Sequence, residues 1–153
     1  MLSQRVKAAL IFVPLVLILI YVGGWVFNLF ITGLLLLAAY EFVRLFNQMG
    51  YHPSFPVASI GILLIIIQRW FFEVQHLSIF LSFYLFFVIV AALIEYERGK
   101  TDAAINLVIN LMVSLYLGWV GSHFILIRAL PEGLGWLLTA LPAAWLADAG
   151  AYF

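Results

Sequence analysis

The sequence has no cysteine and very little charge. Its 153 residues include seven lysines and arginines and seven aspartates and glutamates, so the formal net charge is zero. Without cysteine, disulfides and thiolate metal sites are excluded. The basic residues form no patch or stripe, which excludes a nucleic-acid-binding surface. Three histidines, His52, His76 and His123, show no metal-ligand spacing, and we interpret them as loop, interface or packing residues.

Apolar residues dominate what is present. Hydrophobic residues make up 67% of the chain and charged residues 9%, whereas an average soluble domain is about 25% charged. A soluble domain of this length has no room to bury so much apolar surface, but lipid accepts it. No phosphate-binding glycine loop, zincin motif, nucleophile elbow or kinase signature accompanies it. The composition therefore indicates a membrane protein.

The hydrophobic segments are divided by glycines, prolines and one charged loop. Ala8–Tyr40 is almost continuously apolar; as one helix it would be about 50 Å long, against about 30 Å of hydrocarbon. Gly23-Gly24 is predicted to break it, and the lack of a small-x-small cleavage site there indicates a retained segment, not a signal peptide. We predict an all-α fold, a polytopic membrane helical bundle with about six transmembrane helices, at roughly 7–23, 25–44, 57–72, 77–94, 104–127 and 134–153.

The distribution of lysine and arginine predicts the orientation. With six spans, one side of the membrane holds five of the seven basic residues. Basic residues are enriched in cytoplasmic loops. The N-terminus and the loop over 95–103 are therefore predicted to be cytoplasmic.

Asp148 is the most informative single residue. It lies in the last apolar segment, where a carboxylate costs about 2.5–3.5 kcal/mol at the centre of a membrane helix. Ala144 and Ala151 share its face at helical spacing, and small residues mark close helix packing in membranes. Asp148 is thus expected to face the bundle or a water-filled cavity. A structural carboxylate is the simpler interpretation; a ligand for a cation, a polar substrate or a proton is the functional one, and we favour it.

Two further patterns are less specific. Small and polar residues recur every four positions in the fifth span, a stripe that is most simply a packing face, with a substrate-lining role as the alternative. Glu41 and Arg44 lie near the cytoplasmic end of the second span. They are either a helix-end ion pair or a headgroup site in which Arg44 binds phosphate. The residues of the stripe are Asn106, Asn110, Ser114, Gly118 and Ser122.

Several segments resemble one family. Trp145-Leu-Ala-Asp-Ala-Gly-Ala-Tyr-Phe153 resembles the Trp-Ala-Ala-Asp-Thr-Gly-Ala-Tyr-Phe segment of bacterial phosphatidate cytidylyltransferases (CDP-diacylglycerol synthases). Leu2-Ser-Gln-Arg-Val-Lys7, Tyr40-Glu-Phe-Val-Arg-Leu45 and Tyr116-Leu-Gly-Trp-Val-Gly121 are similar to other parts of the family's N-terminal half. The family's Lys-Asp, His-Gly-Gly and Asp-Arg-x-Asp signature lies beyond this point. We expect 1–153 to be the N-terminal transmembrane region, without the C-terminal catalytic-signature region, and inactive alone.

The resemblance implies that the parent protein transfers the cytidylyl group of CTP to phosphatidate, giving CDP-diacylglycerol and pyrophosphate in phospholipid biosynthesis. It implies a multi-pass protein of the bacterial cytoplasmic (inner) membrane with Mg²⁺ as cofactor. Asp148 is then expected to bind the metal and act in catalysis beside Tyr152, and Glu41 and Arg44 to bind substrate. CTP, phosphatidate and membrane lipid are the expected partners, without nucleic acid; a homodimer is left open. A membrane transporter or scaffold with Asp148 as an ion or proton site is the alternative.

Overall fold

The computed structural model describes residues 2–72 and 74–152, with the side chains of 2–11, 74, 149 and 152 outside that description. Every regular element of the described chain is a helix and none is a strand, which confirms the predicted all-α class. A short 3-10 turn, Val74–His76, precedes the fourth helix. The six helices are α1 Leu2–Val22, α2 Gly24–Gln48, α3 Phe55–Phe71, α4 Leu77–Glu97, α5 Ala103–Ala129 and α6 Gly133–Tyr152.

Within the described residues, the helices long and apolar enough to cross a membrane are three: α2, α4 and α5. The 21 residues of α4, for example, extend about 32 Å, which matches a hydrocarbon core of about 30 Å. Phe12–Val22 and Phe55–Phe71 are shorter apolar helices. The chain is therefore a membrane protein. Six crossings and a cytoplasmic N-terminus stay predictions, since helix length and composition define no orientation.

The break between α1 and α2 falls at the two glycines that the sequence singled out. Gly23 and Gly24 have φ angles of 65° and 54°. This left-handed conformation costs other residues about 1–2 kcal/mol each, so two of them in succession end the first helix. At the start of α3, Pro56 occupies the first turn, where its missing N–H has no helical partner to lose.

The chain divides into two compact units, and Met1–Phe30 with Phe124–Phe153 forms the first. In it α1 packs against α6. Arg128 joins the two ends of the unit, because its Nε donates to the carbonyl of Ile20 at 2.7 Å and its Nη2 to that of Tyr21 at 3.2 Å. These carbonyls belong to the last turn of α1, where carbonyl groups find no N–H donor within the helix. The guanidinium therefore caps α1.

The second unit, Ile31–His123, has its core where α3, α4 and α5 pack together. Tyr84 of α4 is 1% exposed, and its hydroxyl shares a hydrogen bond with Ser114 Oγ at 2.6 Å. Ser114 Oγ in turn donates to the carbonyl of Ala58 at 3.0 Å. Gly61 of α3 lies against both side chains: a Cβ there would be 2.4 Å from Tyr84 Cζ and 2.7 Å from Ser114 Oγ. A hydrogen-bonded polar core thus links the three helices.

The five-residue stripe of α5 lies buried in this second unit, which confirms it as a packing face. Its interval of four needs explanation, since an α-helix rotates 400° in four residues and would displace each member by about 40°. The segment Ser114–Val120 is π-helical. The wider turns of a π-helix offset this drift, so polar residues from Asn106 to Ser122 remain on the packed side.

Candidate functional site

Asp148 lies in α6, near its C-terminal end, and its side chain is exposed. Ala147, Gly150 and Ala151 beside it are exposed as well. Among the side chains that the structure describes, none forms a hydrogen bond or ion pair with Asp148. The small-residue face predicted from the sequence is thus present, with the carboxylate on it. The expectation that this face points into a bundle or cavity stays a prediction.

The exposed carboxylate has a defined chemistry. At membrane depth an ionised aspartate is costly without a counter-charge, so a cation or a hydrogen-bond donor beside Asp148 stabilises it. Mg²⁺ takes one or two protein carboxylates and completes its octahedron with water and substrate phosphates. In the described part of the chain no three histidine, aspartate or glutamate side chains lie close enough to hold a metal ion. Metal binding by Asp148 stays a prediction.

The other predicted site residues are distributed over both units. Glu41 and Arg44 lie in α2 within the second unit, and both are exposed. Within the described chain they form no ion pair with each other, so both charges are available to other groups. Tyr152 ends α6, but its side chain is outside the described residues. The roles assigned to these residues stay predictions.

The structure reveals a polar cluster that the sequence did not indicate as a unit. It fixes the α2–α3 loop to the start of α5, and we call it the loop anchor. His52 donates its backbone N–H to Asn106 Oδ1 at 3.0 Å, and Ser54 donates its own to Asn110 Oδ1 at 3.1 Å. Both asparagines are buried, at 1% and 5% exposure. Two buried amides thereby satisfy loop backbone groups that would otherwise lack partners.

A second contact of the loop anchor joins two side chains. Nδ1 of His52 lies 3.3 Å from Oδ2 of Asp102, with the imidazole 68% and the carboxylate 28% exposed. This hydrogen bond to His52 lowers the pKa of Asp102 below its ordinary value. An exposed pair of this kind contributes little stability. The asparagine bonds therefore hold the loop, and the contact with Asp102 orients His52.

The start of α5 also binds the connection between α4 and α5. Lys100 Nζ lies 2.9 Å from Glu95 Oε1, and Asn106 Nδ2 donates to Glu95 Oε2 at 3.4 Å. Glu95 is therefore bound by an ammonium group and an amide, and Asp102 by the imidazole of His52. These contacts position loops, whereas the carboxylate of Asp148 has no partner among the described side chains.

One comparison with known proteins identifies the chain. The model of the cytidylyltransferase family matches residues 3–153. The chain belongs to the cytidylyltransferase family, which confirms the resemblance found in the sequence. No curated protein and no solved structure matches it. Membership makes the protein a membrane nucleotidyltransferase that uses CTP as a substrate.

Proposed function

We propose that the protein carrying this chain transfers the cytidylyl group of CTP to phosphatidate, with CDP-diacylglycerol and pyrophosphate as products, in phospholipid biosynthesis. Asp148 carries the proposal, as an exposed carboxylate on a helix of a membrane-bound cytidylyltransferase. A lipid acceptor explains why a CTP-dependent enzyme is built from membrane helices. Membership of a transferase family favours this function over a transporter or scaffold.

The reaction is a phosphoryl substitution. An oxygen of the phosphatidate phosphate attacks the α-phosphorus of CTP, a new P–O bond forms, and the bond to the β-phosphate breaks with release of pyrophosphate. Mg²⁺, when bound, neutralises charge on the attacked and leaving phosphates. Asp148 is the residue proposed to hold it, and Tyr152 is proposed to hydrogen-bond beside that carboxylate. Water and the phosphates of CTP would supply the remaining ligands.

Glu41 and Arg44 are proposed to bind the phosphate of the lipid substrate. The guanidinium of Arg44 presents a planar fork that matches phosphate geometry. Glu41 stands three residues earlier, on the neighbouring turn of α2, where it can orient that fork. Both side chains are exposed, and no ion pair between them occupies the fork in the described structure.

The proposed location is the bacterial inner membrane with a cytoplasmic N-terminus, because CTP is cytosolic and five of the seven basic residues lie on that side under six spans. A single cysteine at position 100 of this cysteine-free chain tests it. Lys100→Cys should react with an impermeant thiol reagent only after the cells are opened. Labelling in intact cells would contradict the orientation.

A homodimer is a separate proposal, and the mass of the protein in detergent tests it.

The substrate assignment is tested with the full-length protein in detergent or nanodiscs. CTP labelled at the α-phosphate is supplied with Mg²⁺ and one acceptor at a time: phosphatidate, lysophosphatidate or a water-soluble phosphomonoester. We expect label to appear in CDP-diacylglycerol with phosphatidate, with an equal amount of pyrophosphate, and none from 1–153 alone. Transfer to the soluble phosphomonoester with none to phosphatidate would overturn the proposal.

A further inference from the structure

An apolar groove runs between α1 and α6 in the first unit. Its volume is about 410 Å³, and it is lined by Phe12, Val13, Val16 and Trp145. None of these side chains offers a charged group. A nucleotide or phosphate in this groove would lose its water and gain at most the indole N–H of Trp145, which is costly. The lining therefore suits an aliphatic chain.

The groove begins close to Asp148. Trp145 precedes Asp148 by three residues in α6, which is a rise of about 4.5 Å and a displacement of about 60° around the helix. On the opposite side of Asp148, Ala144 and Ala151 form the small-residue face, and both are exposed. Asp148 thus stands at the border between an apolar groove and a small-residue face.

The direction of the groove agrees with that of a lipid. Gly133, at the start of α6, lies against the backbone of Arg128, whose side chain binds the end of α1. Trp145, further along α6, lines the groove with Val16 and Phe12, which come earlier in α1, so α1 and α6 run antiparallel. With the proposed cytoplasmic N-terminus, α6 ends at the cytoplasmic side. Trp145 then lies deeper in the membrane than Asp148, as acyl chains lie deeper than their headgroup.

We propose that this groove holds an acyl chain of the lipid substrate, with its phosphate at the level of Asp148. The inference rests on the proposed function, and it assigns Phe12, Val13, Val16 and Trp145 as substrate-positioning residues. A second helix, from another copy or another protein, fits the groove less well. Helices approach closely through small residues, whereas two aromatic rings flank this groove.

The groove orients the substrate more than it adds affinity. Surrounding lipid is as apolar as the groove, so the chain gains packing contacts but no transfer free energy. A chain fixed beside Asp148 limits the angles at which the phosphate meets CTP, and such orientation lowers the barrier of a two-substrate reaction. A substitution that fills the groove should therefore lower turnover together with lipid labelling of the groove residues.

Photocrosslinking in nanodiscs tests the proposal on the full-length protein. The probe is phosphatidate with a diazirine midway along one acyl chain, and the reference is phosphatidylcholine with the same chain. We expect phosphatidate to label groove residues more than the reference, because the two lipids carry the same chain and only the phosphatidate headgroup is proposed to bind at Asp148. Val16→Phe should abolish the excess. Leu15→Phe, at a 43% exposed position of α1 outside the groove, should preserve it.

Each result has one meaning. Equal labelling by both lipids would show boundary lipid only, and no labelling of the groove residues by either lipid would show that a helix covers the groove; either overturns the inference. Val13→Phe repeats the test if Val16→Phe does not fold. Turnover measured on the same samples separates the two proposals. Turnover without groove labelling refutes the groove alone, and selective labelling without turnover refutes the reaction alone.

Discussion

Replacing Gly23 by alanine should destabilise the protein more than the same change at Gly24. Both glycines are left-handed, with φ of 65° and 54°, so each alanine costs about 1–2 kcal/mol in backbone strain. At Gly24 nothing lies within 4 Å of the new Cβ, whereas at Gly23 the Cβ would lie 2.3 Å from Arg128 Nη2. Comparing the two variants thus separates the cost of backbone strain from the cost of the collision with Arg128.

The collision displaces the cap of α1. Arg128 would lose its bonds to the carbonyls of Ile20 and Tyr21, which measure 2.7 Å and 3.2 Å. A hydrogen bond with a charged donor contributes about 1.5–3 kcal/mol. Because the guanidinium is half-exposed and rebinds water, we take about 2 kcal/mol for both bonds. Gly23→Ala should therefore lose about 3–4 kcal/mol, and Gly24→Ala about 1–2 kcal/mol.

Unfolding in mixed micelles with increasing SDS, followed by tryptophan fluorescence, measures both free energies. A double-mutant cycle attributes the difference: in an Arg128→Ala background the two alanine variants should become equally unstable, because the collision partner is gone. A difference of about 2 kcal/mol that persists without Arg128 would refute the reasoning, as would equal stability of the two variants in the parent background.

Two further predictions concern the second unit. Gly61→Ala places a Cβ 2.4 Å from the Cζ atom of buried Tyr84 and should cost about 1–3 kcal/mol of stability by overpacking. Gly33→Ala, in open space within α2, should be neutral or stabilising in the same SDS titration. Equal effects of the two substitutions would contradict the packing around Gly61. His52→Ala should raise the pKa of Asp102, followed by NMR, because the histidine hydrogen bond is the main cause of its lowering. The pair stabilises the fold above the unfolded pKa of aspartate and is lost as pH falls through the lowered folded value; an unchanged pKa would contradict this account.

Much of the helical framework follows from the sequence, because lipid simplifies the pattern. Long apolar runs have to be helices, and Gly23-Gly24 interrupts the longest run at a conformation that glycine adopts readily. The stripe on α5 was also interpretable, because Asn106 and Asn110 need hydrogen-bond partners once they are buried. The interval of four, which exceeds 3.6, was also a signal for the π-helical segment, and it is visible in the sequence.

The partners of these groups were not predictable. Asn106 and Asn110 bind backbone N–H groups of the α2–α3 loop more than 50 residues away, and a backbone donor leaves no trace in the sequence. Arg128 likewise caps α1 through two carbonyls. For the candidate site, Asp148 was identifiable as a carboxylate in an apolar segment, but the groove beside it depends on how α1 lies against α6.

The most direct test of the central claim is the turnover of Asp148→Asn in the full-length protein, which keeps the side-chain volume and removes the charge. If Asp148 holds the metal at the reacting phosphates, CTP-dependent formation of CDP-diacylglycerol should fall about 100-fold or more, as expected for the loss of one electrostatic contact in the transition state. Asp148→Glu should retain part of it. Asp102→Asn, in the loop anchor, should keep parental turnover, and all variants should insert and unfold as the parent does. Near-parental turnover of Asp148→Asn at saturating Mg²⁺ would contradict the account.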